Sequence, residues 1–204
     1  MPLATSHRLP RAIVVLLAMC GVVHGSLPDP TRAETKRQAQ VSTTPRANEP
    51  VQVRYGTDSL PQPVIEMRDA ILAAVRSGRI EEIVGAIELN EIKPAFGEVP
   101  ASDPVAWLKQ ASADGQGRDI LAALANVLDA GYAVVRLGRD AENNTVYVWP
   151  HFAETGVASL TSEREVELLR LVPADRAKAM REAGKYDFWR LGIGADGVWH
   201  FLRK

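Results

Sequence analysis

From residue 64 onward, apolar side chains recur at the three- and four-residue spacing of a helix with one buried face. In "VIEMRDAILAAVRSG" the stripe is Val64, Met67, Ile71 and Val75, and Gly78 follows as a stop signal. A second stripe, Ile80, Ile83, Val84 and Ile87, runs out at Asn90 and Pro94. Asp103 followed by Pro104 predicts a helix start, because Asp accepts a backbone hydrogen bond at the N-cap and Pro needs no donor at the first helical position. That helix carries Trp107 and Leu108. Ile120, Leu121, Leu124, Val127 and Leu128 then make a broad stripe, the pattern of a central, well-buried helix.

At residue 132 the period changes. "YAVVRLG" and "TVYVWP" are rich in aromatic and β-branched residues and flank "RDAENN", which predicts a hairpin with a longer loop. Two more helices follow. Ser162 with Glu165 reads as a capping box ahead of Val166 and Leu169, and Pro173 with Asp175 opens a segment that closes on Lys178, Arg181 and Gly184.

The ending "DFWRLGIGADGVWHFLRK" contains Asp196-Gly197, the strongest hairpin-turn signal in the chain. With those two residues as the loop, Gly194 falls opposite Trp199, Ile193 opposite His200 and Gly192 opposite Phe201. Opposed residues share a face. Trp189, Leu191, Ile193, Val198, His200 and Leu202 then form a core face, while Trp199 and Phe201 lie over Gly194 and Gly192, rings covering strand glycines. The expected fold is α+β, with helices packed on a small antiparallel sheet built largely from two hairpins, in a single domain spanning 63–204.

Before that domain the pattern is different. Arg8 and Arg11 precede an apolar run from Ala12 that continues through "AMCGVV" to His24, Gly25 and Ser26. A hydrophobic stretch of roughly a dozen residues fits a signal peptide and is shorter than the ~20 needed to span a bilayer. The expected leader is 1–25, with cleavage after Gly25 and a periplasmic or secreted product. Cys20 after "LAM" offers a lipoprotein alternative, but Met19 stands where that signal has Gly, Ala or Ser. Membrane attachment is expected only if Cys20 is lipidated. Residues 26–62 have scattered Pro, Thr, Gln and charge with few large apolar residues, so they read as a flexible tether. Within it "VQVRY", 51–55, alternates like a short strand, which leaves open whether this segment joins the sheet.

Composition narrows the chemistry. Cys20 is the single cysteine, so after ordinary cleavage neither disulfides nor thiol chemistry remain. His151 and His200 would be the mature protein's histidines, which excludes Cys-rich zinc sites and a three-His centre. No metal or other cofactor is expected. Residues 63–204 hold 17 Lys and Arg against 21 Asp and Glu, without basic runs, so a nucleic-acid surface is not expected either. "GQG" at 115–117 and "GIG" at 192–194 lack the Lys and Ser or Thr of a phosphate loop, and the Gly-x-Ser-x-Gly and Ser-x-x-Lys patterns of serine acyl transfer are missing.

What remains is "YVWPHFAE", 147–154. In a strand Tyr147 and Trp149, and His151 if the strand continues, point to one side, so they are either covered by another layer or offered to a partner. The candidate binding surface is Tyr147, Trp149, His151 and Glu154 with the rings of Trp199 and Phe201. His151 and Glu154 could form an acid and base pair if the chain turns helical after Pro150. Glu88 and Glu91, at the border of an apolar stripe, are further acids for a hydrolase acting on the cell wall. A purely structural envelope protein is a third reading, in which all these aromatics are buried. The partner could be an envelope component or a small ligand, and no catalytic residue is assigned.

The blocks "VYVWPHFAE", "LTSEREVELLRLVPADRAKAMREAG" and "FWRLGIGADGVWHFL", taken with the leader, resemble a group of bacterial exported proteins of uncharacterised function. The resemblance implies export to the cell envelope. It implies no activity, cofactor or catalytic residue, so a non-enzymatic binding or accessory module is the favoured expectation.

Overall fold

The computed structural model of the protein describes residues 51–97, 102–137 and 144–204. The expected leader, the tether as far as residue 50 and loop residues 139–143 lie outside them. In chain order the elements are β1 (Gln52–Arg54), α1 (Gln62–Ser77), a 3-10 turn (Ile80–Glu82), α2 (Ile83–Ile87), β2 (Ala95–Phe96), α3 (Pro104–Ala111), α4 (Arg118–Asp129), β3 (Tyr132–Arg136) and β4 (Thr145–Trp149). Then come α5 (Phe152–Thr155), α6 (Ser162–Leu171), α7 (Ala174–Ala183), β5 (Arg190–Gly194) and β6 (Trp199–Arg203).

The helix boundaries follow local chemistry. Gly78 ends α1 in the left-handed conformation, φ 66°, with its N–H donating to Val75. The Asp103 carboxylate accepts from the Ala106 N–H at 3.0 Å and Pro104 opens α3. For α6 the cap lies one residue earlier than the expected Ser162: Thr161 accepts from the Arg164 N–H. In α6 Leu168 and Leu171 are buried, while Val166 and Leu169, the apolar residues that follow the expected cap, are 61% and 45% exposed. Val84 in α2 is likewise exposed, and Ala86 takes the buried place beside Ile83 and Ile87.

The architecture is α+β. Among the described residues the sheet has six strands in the order β1-β3-β4-β5-β6-β2. Its middle is the two expected hairpins, β3-β4 and β5-β6, joined through an antiparallel β4-β5 pair. Two short strands complete it: β1 pairs antiparallel with β3, and β2 pairs parallel with β6, which makes the sheet mixed rather than antiparallel throughout. Residues 52–54 therefore belong to the sheet, although they fall within the stretch 26–62 read as a tether.

The sheet has two unlike faces. On one, Tyr132, Tyr147, Trp149, Leu191, Ile193, Trp199, Leu202 and Phe96 join the buried stripes of α1 and α4 in one core. On the other lie Ala133, Val146 and Val148, buried but outside that core, with Gly192, Phe201, Arg190 and Arg203 in line across β5 and β6.

The last hairpin corrects the expected register. Gly194 exchanges hydrogen bonds with its neighbours so that its N–H donates to Val198 O, and Gly197 N–H donates to Gly194 O, both at 2.8 Å. The loop is thus Ala195-Asp196-Gly197, three residues, with Gly197 left-handed at φ 87°. Ile193 now pairs with Trp199, and a bulge at His200 restores Gly192 opposite Phe201. The consequence is an exchange of sides. Trp199 enters the core, its ring 5.5 Å from that of Phe96, and His200 leaves it for solvent.

Candidate functional site

β4 is an interior strand, and all five of its residues are buried. Tyr147 and Trp149 point into the helix-covered core, with the ring of Tyr132 5.8 Å and 5.0 Å away. The candidate surface therefore loses Tyr147 and Trp149, and the register change removes Trp199 as well. His151 is also buried, with no exposed surface. Of the six candidate residues only Glu154 and Phe201 reach the exterior, Phe201 in part.

His151 instead centres a polar cluster. Its N–H donates to Gly131 O at 2.7 Å, its Nε2 lies 3.2 Å from Glu167 Oε2, and its Nδ1 lies 3.1 Å from Thr155 Oγ1. The Tyr55 hydroxyl donates to Glu167 Oε2 at 2.9 Å, and the Gly131 N–H donates to Glu167 Oε1 at 2.7 Å. A Cβ at 131 would stand 2.6 Å from the Tyr55 ring and 3.0 Å from His151, so any larger residue there would have to push the Tyr55 ring aside. Burial pushes the Glu167 carboxyl up, but hydrogen bonds from His151, Gly131 and Tyr55 outweigh it and hold the group below the usual range. An ionised carboxylate accepts only, so Nε2 carries a proton toward Glu167. Burial, and then Glu167, push the Tyr55 hydroxyl up.

This array contains the residue types of acid–base catalysis, but an acid or base must reach the proton it moves. The imidazole is sealed. Thr155 can also donate to His151 O at 3.2 Å, the ordinary habit of a helical Thr toward the carbonyl four residues back. The cluster ties the residue after β1, the residue before β3, the start of α5 and the middle of α6 together, which is the work of a clasp. Sequence reasoning missed Glu167 and Tyr55: the first lay on the polar face of a helix, the second in the presumed tether.

The expected pairing of His151 with Glu154 does not form. Glu154 turns to the other side, where burial pushes its carboxyl up against the opposing pull of Arg190 and Arg203. Glu88 and Glu91 are exposed beyond the end of α2. Among the described residues no group of three or more His, Cys, Asp or Glu is placed to hold a metal ion, and no helix is long and apolar enough to cross a membrane.

On the second sheet face the composition is different. Phe201 lies over Gly192, whose missing Cβ would stand 2.5 Å from the ring. The Arg203 guanidinium sits above that ring, 4.6 Å from its centroid. Arg190 is directly opposite Arg203 in the β5-β6 pair. Phe201, Arg190 and Arg203 are all half-buried, with Glu154 within electrostatic reach of both arginines. This is a surface with an aromatic floor, two positive groups and one acid.

Compared with protein families, curated proteins and solved structures, the chain has no significant match. The residues themselves must carry the functional reading.

Proposed function

We propose that the protein is an exported, non-enzymatic binding module of the bacterial cell envelope, engaging its ligand through the second sheet face around Phe201, Arg203, Arg190 and Glu154. The observation that carries this reading is the half-buried Phe201 ring, seated on Gly192 and covered by the Arg203 guanidinium. Aromatic side chains and arginine are enriched at binding surfaces, the ring for its contact area and the guanidinium for its directional donors. A binding role is favoured over hydrolysis because the acid and base candidates are separated: His151 is sealed against Glu167, and Glu154 faces arginines. Export is supported by the apolar run from Ala12 behind Arg8 and Arg11.

The test is co-sedimentation of the purified protein with isolated cell-wall sacculi. We expect the protein to pellet, and Phe201→Ala to weaken binding about tenfold, equivalent to about 1.4 kcal/mol. Equal retention of both proteins in the supernatant rejects the reading. N-terminal sequencing of the product from its native host checks export, with Ser26 as the expected first residue.

A further inference from the structure

We propose that Arg190 and Arg203 together form a site for a monovalent oxyanion, a carboxylate or a singly charged phosphate, on the second face of the sheet. This rests on the binding-face reading and names the ligand chemistry of that face.

The register places the two arginines side by side on adjacent strands, each leaning on the same face as Phe201. Like charges directly opposed across a strand pair are destabilising. Relief is partial: the Phe201 ring takes one face of Arg203, and Glu154 acts on both arginines only at electrostatic range. Among the described residues the Nε atom of each arginine is buried without a hydrogen-bond partner, and neither guanidinium lies within ion-pair distance of a carboxylate. A buried donor left without an acceptor costs about 1–3 kcal/mol, more when charged. Both unmatched donors lie on one face, on side chains that are themselves only half-buried.

The pair is also held in place. Arg203 is braced against the Phe201 ring, and that ring can lie flat because residue 192 has no side chain. Glu154 reaches both arginines electrostatically without pairing with either, so the three groups together carry one net positive charge. A single negative charge balances it. The guanidinium fork presents parallel N–H donors that match two oxygens of a carboxylate or phosphate.

The experiment is a titration of the purified protein with sodium acetate and, separately, with sodium phosphate, following the Nε–H resonances of the arginines by NMR against sodium chloride at matched ionic strength. We expect the Arg190 and Arg203 signals to move together and to saturate with at least one oxyanion. Arg190→Gln and Arg203→Gln should each weaken that response tenfold or more with the amide spectrum otherwise retained. Should a Gln variant fail to fold, Arg203→Lys keeps the charge and loses the fork, and is expected to weaken binding as well. Saturation by acetate alone assigns a carboxylate ligand, and saturation by phosphate alone assigns a phosphate. A linear response no larger than that to chloride overturns the site. The two readings fail separately: sacculus binding that survives both Gln substitutions sinks the oxyanion site and leaves the module, and oxyanion binding without sacculus binding does the reverse.

Discussion

The Nε2 atom of His151, on a side chain with no exposed surface, lies 3.2 Å from Glu167 Oε2, and the same oxygen accepts from the Tyr55 hydroxyl. One carboxylate thereby holds the segment behind β1, the entry to β3 and the turn from β4 into α5. Removing it strands several partners at once. We expect Glu167→Ala to cost about 2–3 kcal/mol, the penalty for buried donors left unmatched, and Tyr55→Phe about 1 kcal/mol. Urea unfolding of each variant measures both.

The same carboxylate sets an acid limit. Its folded-state pKa lies below the ordinary value of 4.5, so the stability it contributes is complete above that value and is lost as pH falls through the depressed one. Urea midpoints measured at decreasing pH should hold steady above that range and then decline. Glu167→Gln should start lower and decline less steeply. An identical acid limb in the variant would place the sensitivity elsewhere.

Helix α6 offers a paired test of which side it buries. Leu168 is buried and Leu169, its neighbour, is 45% exposed. Leu168→Ala should cost about 2–5 kcal/mol through lost contacts and a cavity. Leu169→Ala and Val166→Ala should stay within about 0.5 kcal/mol, as surface changes usually do. Thermal unfolding of the three variants decides it.

Tyr132 is buried among Tyr147 and Trp149, and its hydroxyl has no hydrogen-bond partner among the described residues. Burial pushes that hydroxyl's pKa up. Tyr132→Phe removes an unmatched polar atom without opening the core, so stability should be unchanged or rise by up to about 1 kcal/mol. A loss beyond 1 kcal/mol would mean that the hydroxyl has a partner in solution.

The four tryptophans separate by accessibility. Trp149, Trp189 and Trp199 are buried, and Trp107 is half-buried. Acrylamide should quench chiefly Trp107, and Trp149→Phe and Trp199→Phe should remove no strongly quenched component. If either did, the ring would be open to solvent and the original aromatic surface restored.

Much of the fold was legible because local chemistry dictated it. Gly78 and the Asp103-Pro104 pair fixed helix ends through contacts made within a few residues, and the period of Val64, Met67 and Ile71 marked a buried face. The failures lie where distant residues decide. Asp196-Gly197 suits a two-residue loop or a three-residue one, and the choice reverses the sides of Trp199 and His200. The core position of Trp199 depends on Phe96, far away in the chain. β1 and β2, three and two residues long, are too short to display a period. Glu167 meets Tyr55 across 112 residues and Gly131 across 36, separations that no spacing rule covers. Of the candidate surface, Phe201 and Glu154 kept their access. The arginines beside them were passed over because two cations five or six positions from a turn look like ordinary solvated charge until the register sets them face to face.

β6 runs between β5 and β2, an interior strand made from residues 199–203. Its Trp199 N–H also donates to the Asn90 side chain, and Gly97 N–H reaches back to Leu202 O. A growing chain therefore holds β2 without its neighbour, and Phe96 without the Trp199 ring, until about a hundred further residues have been added. Assembly of this sheet is gated by synthesis of its last interior strand, so nascent chains stopped before Trp199 should remain open to protease, and closure should come as a late, single event.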